Sequence, residues 1–250
     1  MANQPGTDQR PSTPQQHAIF TGTLAVAVAE AKLSFGFMQN LNGSKGLKKK
    51  VIIDTLRALE VAEVSPEPHA LIEKYYREIY GQHLNLWGLE FPQKEGFDAQ
   101  MVVPEEMDDE DWIARRIAKR FSVNFSTYKT RIADNIDRVN EQKRPQGLYV
   151  FAHRGGDEPD KVHLGKSYDD AMAQKMTFLN PKEYLLASGF HRFVKNYFMD
   201  RKGWTRTSSL WSDGYLVDGY WSDADAKLYL SIGFRDGCYP DCGPREAVLA

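Results

Sequence analysis

The last fifth of the chain has a composition that constrains its fold more than any other part. Of the 38 residues from 208 to 245, 22 are Ser, Asp, Gly, Tyr or Cys. Asp-Gly, Ser-Asp and Pro-Asp pairs favour tight turns, and they separate short strand-like stretches such as 215–217 and 227–232. This pattern predicts a turn-rich region of antiparallel strands after Trp204.

The preceding part of the chain has apolar residues mainly at helical spacing. An acidic run at 104–111 comes directly before one such stretch, and acidic side chains favour a helix N-terminus; an acidic metal site is the alternative. The chain is therefore predicted to be α+β, with short strands at 121–125 and 148–151. Helices are expected at 46–64, 67–80, 112–120, 128–142, 168–176 and 181–197.

Changes in composition along the chain predict its organisation. Residues 1–17 are polar and rich in Pro and Gln, which predicts a disordered tail. A mainly helical N-terminal region is expected at 18–143, and a mixed α/β domain with antiparallel strands at 147–250. A formal net charge of −2 gives no bias towards nucleic acid or an anionic membrane, so neither is expected as a partner. Without an apolar run of secretory or membrane-spanning length, we expect a cytoplasmic protein.

The sequence contains no motif that identifies a reaction. The six histidines include no pair at the spacing of a helical zinc site. Cys238 and Cys242 alone cannot fill a tetrahedral zinc shell, so we expect free thiols, with a local disulfide or a metal pair as the alternative. Accordingly we predict no catalytic residue, no metal and no cofactor.

Several short stretches of the chain together carry a family resemblance, namely 66–72, 96–98, 181–186, 190–193, Asp200, 204–208 and 243–248. They resemble a family of uncharacterised proteins from uncultivated bacteria with small genomes. The resemblance covers most of residues 45–250, and that family has no established function to carry over. The layout of its C-terminal part (two helices, a Trp-rich β-region and a closing strand with a G-x-R-x-A-V ending) is similar to the end of C-type-lectin-like domains. The variable proteins of diversity-generating retroelements share that layout.

In those systems the 3′ end of the gene is rewritten at template adenines, so the encoded surface residues vary between copies. Randomising the first two positions of A-A-pyrimidine codons cannot produce Lys, Glu, Gln, Met or Trp. Only 3 of the 38 residues at 208–245 belong to that excluded set, compared with 10 of the 38 residues at 170–207. The contrast supports a diversified surface at 208–245, although a β-rich region would itself be poor in Lys and Glu.

We therefore expect a binding protein whose target is an unknown protein or small molecule. Trp204, Trp211 and Trp221 are expected to be buried anchors, because large aromatic side chains bury the most area. The side chains between them are expected to face solvent and contact the ligand. The predicted ligand-binding residues are Tyr215, Asp218, Tyr220, Asp223, Tyr229, Ser231, Asp236, Tyr239 and Asp241.

Two other functions fit the same sequence. The first is a small cytoplasmic enzyme with a site between the two regions, using His153, Asp157 or His191. Such an enzyme predicts titratable groups that converge in a pocket. The second is a scaffold that binds through an apolar patch on its helices at 46–80.

Overall fold

A computed structural model describes residues 68–107 and 109–250 of the protein. All the described residues belong to one compact unit that begins at Pro66 and ends at Ala250. The predicted tail at 1–17 and the predicted helix at 46–64 lie outside the described residues.

The described part combines helices with antiparallel and mixed sheets, which confirms the predicted α+β class. Among residues 68–107 and 109–250, no helix has both the length and the apolar character that crossing a membrane requires. The helices are α1 (Pro68–Tyr80), α2 (Glu110–Phe121), α3 (Tyr168–Ala173) and α4 (Pro181–Lys195). The strands are β1 (Ala99–Val103), β2 (Asn124–Thr127), β3 (Tyr149–His153), β4 (Trp204–Leu210), β5 (Leu216–Ser222), β6 (Lys227–Gly233), β7 (Cys242–Pro244) and β8 (Ala247–Leu249).

The strands form two sheets. The smaller is antiparallel with the order β1-β3-β8, so β3 pairs with the strand that closes the chain. The larger has the order β2-β6-β5-β4-β7. Its three central strands are antiparallel, whereas the edge strands β2 and β7 run parallel to their neighbours. The predicted antiparallel region after Trp204 therefore forms the centre of the larger sheet.

Local side-chain caps explain where the long helices begin. Asp109, from the acidic run, accepts a hydrogen bond from the backbone N–H of Trp112 and caps α2. At α4, Asn180 and Glu183 form a reciprocal capping box around Pro181. The acidic run therefore serves α2 as a helix start, as the sequence indicated.

The prediction of a helix over 128–142 is wrong, since the segment contains only a short 3-10 turn at Ala133–Asn135. The Asp111 carboxylate accepts the backbone N–H groups of Ile132 and Ala133. Asp137 accepts those of the two residues that follow Arg138. Side chains thus bind the N–H groups that a helix would use, and the segment folds as a series of turns.

One hydrophobic core contains residues from α1 to β8. It joins both sides of the predicted boundary at 143–147, because β1 pairs with β3 and α1 and α2 both pack on α4. Arg144, which lies between the two predicted regions, donates to both oxygens of the buried Glu183, at 2.6 and 2.9 Å. The compact unit that begins at Pro66 is therefore continuous through residues 143–147.

Candidate functional site

The larger sheet has one face packed on α4 and one face turned away from it. On β5, Gly219 faces α4 so closely that a Cβ would lie 2.3 Å from a ring carbon of Tyr184. Trp221, also on β5, stacks on Phe198 with ring centroids 4.4 Å apart. Because side chains alternate along a strand, Asp218 and Tyr220 lie on the opposite side, which we call the outer face.

Three aromatic rings stack across the outer face. Trp204 on β4 stacks on Tyr220 with ring centroids 4.2 Å apart, and Tyr220 stacks on Tyr229 of β6 at 4.5 Å. All three side chains are half-buried, and the Tyr229 hydroxyl donates to Asp225 at 3.1 Å. Cross-strand aromatic pairs stabilise a sheet while leaving ring edges and hydroxyls accessible. We call these three residues the aromatic ladder.

Next to the ladder lies a row of polar residues on three neighbouring strands. Arg206 pairs in register with Asp218, and Asp218 pairs with Ser231. The buried Arg206 guanidinium donates to the carbonyls of Phe234 and Gly237, at 3.0 and 2.8 Å. These two hydrogen bonds link residues 234–241, which we call the capping loop, to the sheet.

Asp218 is 3% exposed and has no cation within ion-pair distance among the described residues. Its Oδ1 has no hydrogen-bond partner in that part of the chain, and neither does Nε of Arg206. Burial raises the pKa of Asp218 to about 7, although the charge of Arg206 acts in the opposite direction. The outer face therefore contains an acid that changes charge near neutral pH.

The capping loop and the adjacent turn expose several large apolar side chains. Phe234 is 56% exposed and Tyr239 is 46% exposed. Tyr215 lies between Phe234 and Tyr128, with ring centroids 6.0 and 6.2 Å away. The outer face therefore combines tyrosines with adaptable polar groups, which is the composition of many protein-binding surfaces.

Both cysteines of the loop region are free thiols, with Cys238 exposed and Cys242 buried. Burial, together with Asp241 and Asp218, raises the pKa of Cys242 to about 12. A thiol with so high a pKa stays protonated, so Cys242 is a poor nucleophile and a poor metal ligand.

The nine predicted ligand-binding residues divide into three groups by exposure. The expected exposure of Asp218 is wrong: its side chain is 3% exposed and packs against Gly233, where a Cβ would lie 2.1 Å from its Oδ2. Trp204 was expected to be a buried anchor, but it is only half-buried in the ladder. Trp211 and Trp221 are buried as expected. Tyr215, Asp223, Asp236, Tyr239 and Asp241 are exposed, and Tyr220, Tyr229 and Ser231 are half-buried.

Sequence reasoning missed three residues of this region, namely Tyr128, Arg206 and Phe234. Arg206 and Phe234 are visible only once the strand register and the path of the capping loop are known. Tyr128 comes from the segment after β2, far from the C-terminal fifth of the sequence, and no local pattern connects it with Tyr215.

A second cluster has the geometry of a metal site but the contacts of an ion-pair network. Ligand atoms of Asp160, His163 and Glu246 lie within 4.8 Å of one another. However, Nη1 of Arg154 donates to both carboxylates, at 2.7 and 3.2 Å, and Lys94 lies 2.6 Å from Glu246. Against the effect of burial, hydrogen bonds from Lys94, His163 and Arg154 lower the pKa of Glu246 to about 2. A metal ion would have to displace the Arg154 guanidinium.

The residues considered for an enzyme are each engaged in other contacts. Burial and the charge of Arg245 lower the pKa of His153 to about 3, so this imidazole stays neutral. Asp157 forms an ion pair with Lys202 at 2.7 Å, and Nδ1 of His191 lies 2.9 Å from the carbonyl oxygen of Tyr197. A cleft of about 410 Å³ beside the N-terminus of α4 is lined by none of these three side chains. A second cleft, of about 340 Å³, is lined by Asp157 but by neither His153 nor His191.

Within the outer face, the ladder, the buried acid and the exposed loop are brought together by three adjacent strands. Comparison of the chain with models of known protein families, with curated proteins and with solved structures finds no match in any of the three.

Proposed function

We propose that the protein binds a partner, a protein or a small molecule, through the outer face and the capping loop, without catalysis. The observation that carries this proposal is the aromatic ladder of Trp204, Tyr220 and Tyr229, which lies half-exposed on a sheet whose other face packs on α4. Trp and Tyr contribute most of the binding energy at many interfaces, because each gives a large rigid contact and a polar group. We also propose that this occurs in the cytoplasm, where an exposed thiol such as Cys238 stays reduced.

The finer fold assignment belongs to the same proposal. We propose that residues 147–250 form a C-type-lectin-like domain. The order of elements supports this: β3, the helices α3 and α4, the central strands β4–β6, and a closing strand. The antiparallel pairing of β3 with β8 supports it too, since it brings the two ends of the domain together.

We further propose that the surface at 208–245 is diversified between copies of the gene. In support, the structure separates the groups that hold the fold from those that face solvent. Arg245 is fully buried, forms an ion pair with Asp200, and donates to carbonyls of Arg154, Gly155 and Glu158. Side chains of the capping loop make none of these contacts, so their exchange would leave the frame intact.

Proximity labelling in cells that produce the chain tests the binding role. The face variant carries Tyr220→Ser, Tyr229→Ser and Tyr239→Ser. The matched control carries Trp87→Ser, Val139→Ser and Val162→Ser, at side chains that are 91%, 92% and 69% exposed elsewhere. We expect proteins labelled by the wild type and the control to be lost with the face variant; equal labelling by all three would contradict binding of a protein partner through this face.

The diversification is tested in the gene itself. We expect a near-repeat of the 3′ end of the gene that differs only at adenines, with a reverse-transcriptase gene nearby. Sister copies that differ evenly along their length would exclude diversification and leave the binding role untouched.

A further inference from the structure

The acids of the outer face outnumber the cations available to neutralise them. In residues 68–107 and 109–250, the ion pairs include Asp213 with Lys129 and Asp223 with Arg201. Four other aspartates on the face, the β5–β6 turn and the capping loop form no ion pair with any described residue, namely Asp218, Asp225, Asp236 and Asp241.

Two cations of this region, Arg206 and Lys227, also form no ion pair with a described residue, so four such aspartates face two such cations. Arg206 uses two N–H groups to hold the capping loop. Lys227 lies over the ring of Tyr229, 5.4 Å from its centroid. The charge that is missing from the outer face is therefore positive, and a partner could supply it.

Asp218 is the acid for which this deficit matters most. Its Oδ1 is buried and has no hydrogen-bond partner among the described residues, although a buried carboxylate oxygen normally has one. It lies one row from Tyr220, whose half-buried ring belongs to the aromatic ladder. A carboxylate beside aromatic rings suits a guanidinium or an ammonium group, which can form an ion pair and a cation–π contact together.

We propose that the outer face recognises a protein segment that presents an arginine or lysine side chain, and that this side chain pairs with Asp218. The inference rests on the proposed binding function and names the chemistry of its partner. Because Asp218 is only 3% exposed, this pairing requires the capping loop to move away from the two hydrogen bonds that Arg206 makes with it. Binding then satisfies the unpartnered oxygen and neutralises the acidic surface.

A phage-displayed library of random peptides, selected on the full chain, tests this inference. The selected peptides are then measured against three variants: Asp218→Asn, the matched control Asp236→Asn, and Tyr220→Ser with Tyr229→Ser. We expect enrichment of peptides that contain Arg or Lys. Their affinity should fall about tenfold or more with Asp218→Asn and less than about twofold with Asp236→Asn, because removal of a buried charge partner costs far more than removal of a rim charge.

The outcomes separate the two proposals. If peptides without basic residues bind and lose affinity with the tyrosine variant only, the binding function stands and the cation inference is wrong. If basic peptides bind equally to wild type and Asp218→Asn, the inference is also wrong, since bulk charge would explain their selection. If no selected peptide depends on any of the variants, both proposals are wrong.

Discussion

Replacing Asp218 with Asn should stabilise the protein above neutral pH. In the unfolded chain this carboxyl ionises at its ordinary pKa of 3.8, whereas burial raises the pKa to about 7 in the folded protein. Between these values the folded state binds more protons than the unfolded state, so wild-type stability falls as the pH rises from about 4 to about 7. Below that window the acid is protonated in both states and costs nothing.

The size of the effect follows from the shift in pKa. Each unit corresponds to about 1.4 kcal/mol, so the full penalty above pH 7 is about 4 kcal/mol. Relaxation of the surroundings and entry of water around an ionised Asp218 reduce this penalty. We therefore expect Asp218→Asn to gain roughly 2–4 kcal/mol at pH 8 and almost nothing at pH 4.

Urea denaturation followed by Trp fluorescence, at pH values from 4 to 8, measures this difference. The matched control is Asp225→Asn, which removes an exposed acid of the same surface. Hydrogen bonds from Ser222 and Tyr229 lower the pKa of Asp225, so this variant should lose slight stability above pH 4 and gain none. A gain for Asp218→Asn that is the same at pH 4 and pH 8, or a loss at pH 8, would refute the reasoning.

Three further predictions concern the buried frame and the exposed face. His153→Gln should flatten the acid dependence of stability: the folded imidazole has a pKa of about 3, whereas the unfolded one takes up a proton near 6.5, so the wild type loses stability as the pH falls through this window. Urea midpoints between pH 7 and pH 4 check this, and parallel curves for both proteins would contradict it. Arg245→Met should cost about 3–5 kcal/mol, because it leaves Asp200 buried without its cation. Adding Asp200→Asn should recover part of the loss, and strictly additive effects in that double-mutant cycle would show that the pair is not coupled. Trp211→Ala should cost about 3–5 kcal/mol, because the side chain is fully buried. Tyr220→Ala should cost about 1 kcal/mol, because the ring is only half-buried. Equal losses of unfolding free energy for the Trp211 and Tyr220 variants would contradict the distinction between the buried core and the outer face.

Those parts of the fold that depend on neighbouring residues could be predicted from the sequence. The strand expected at 227–232 is β6, and the helices expected at 112–120 and 181–197 are α2 and α4, with ends within a few residues. Alternation, Pro181 and the capping side chains act over a few positions, so a single sequence contains the signal.

The parts that depend on distant residues could not be predicted. The ladder requires the pairing of Tyr220 with Tyr229 in register, and the burial of Asp218 requires Gly233 beside it. Arg144 was expected to lie between two separate regions, but it pairs with Glu183, 39 positions away along the chain. Composition indicated which region would carry the exposed tyrosines, and only the strand register determines which acid lies among them.

The cost of ionising the buried Asp218 connects the stability of the fold with binding at the outer face. Asparagine would fill the same space without the cost of an unpaired buried charge, and stabilising replacements of this kind are easily reached by mutation. The cost of an ionised, unpaired Asp218 above pH 7 agrees with the proposed pairing to a partner cation. A partner cation that pairs with the ionised carboxylate would recover in binding what the fold loses in stability.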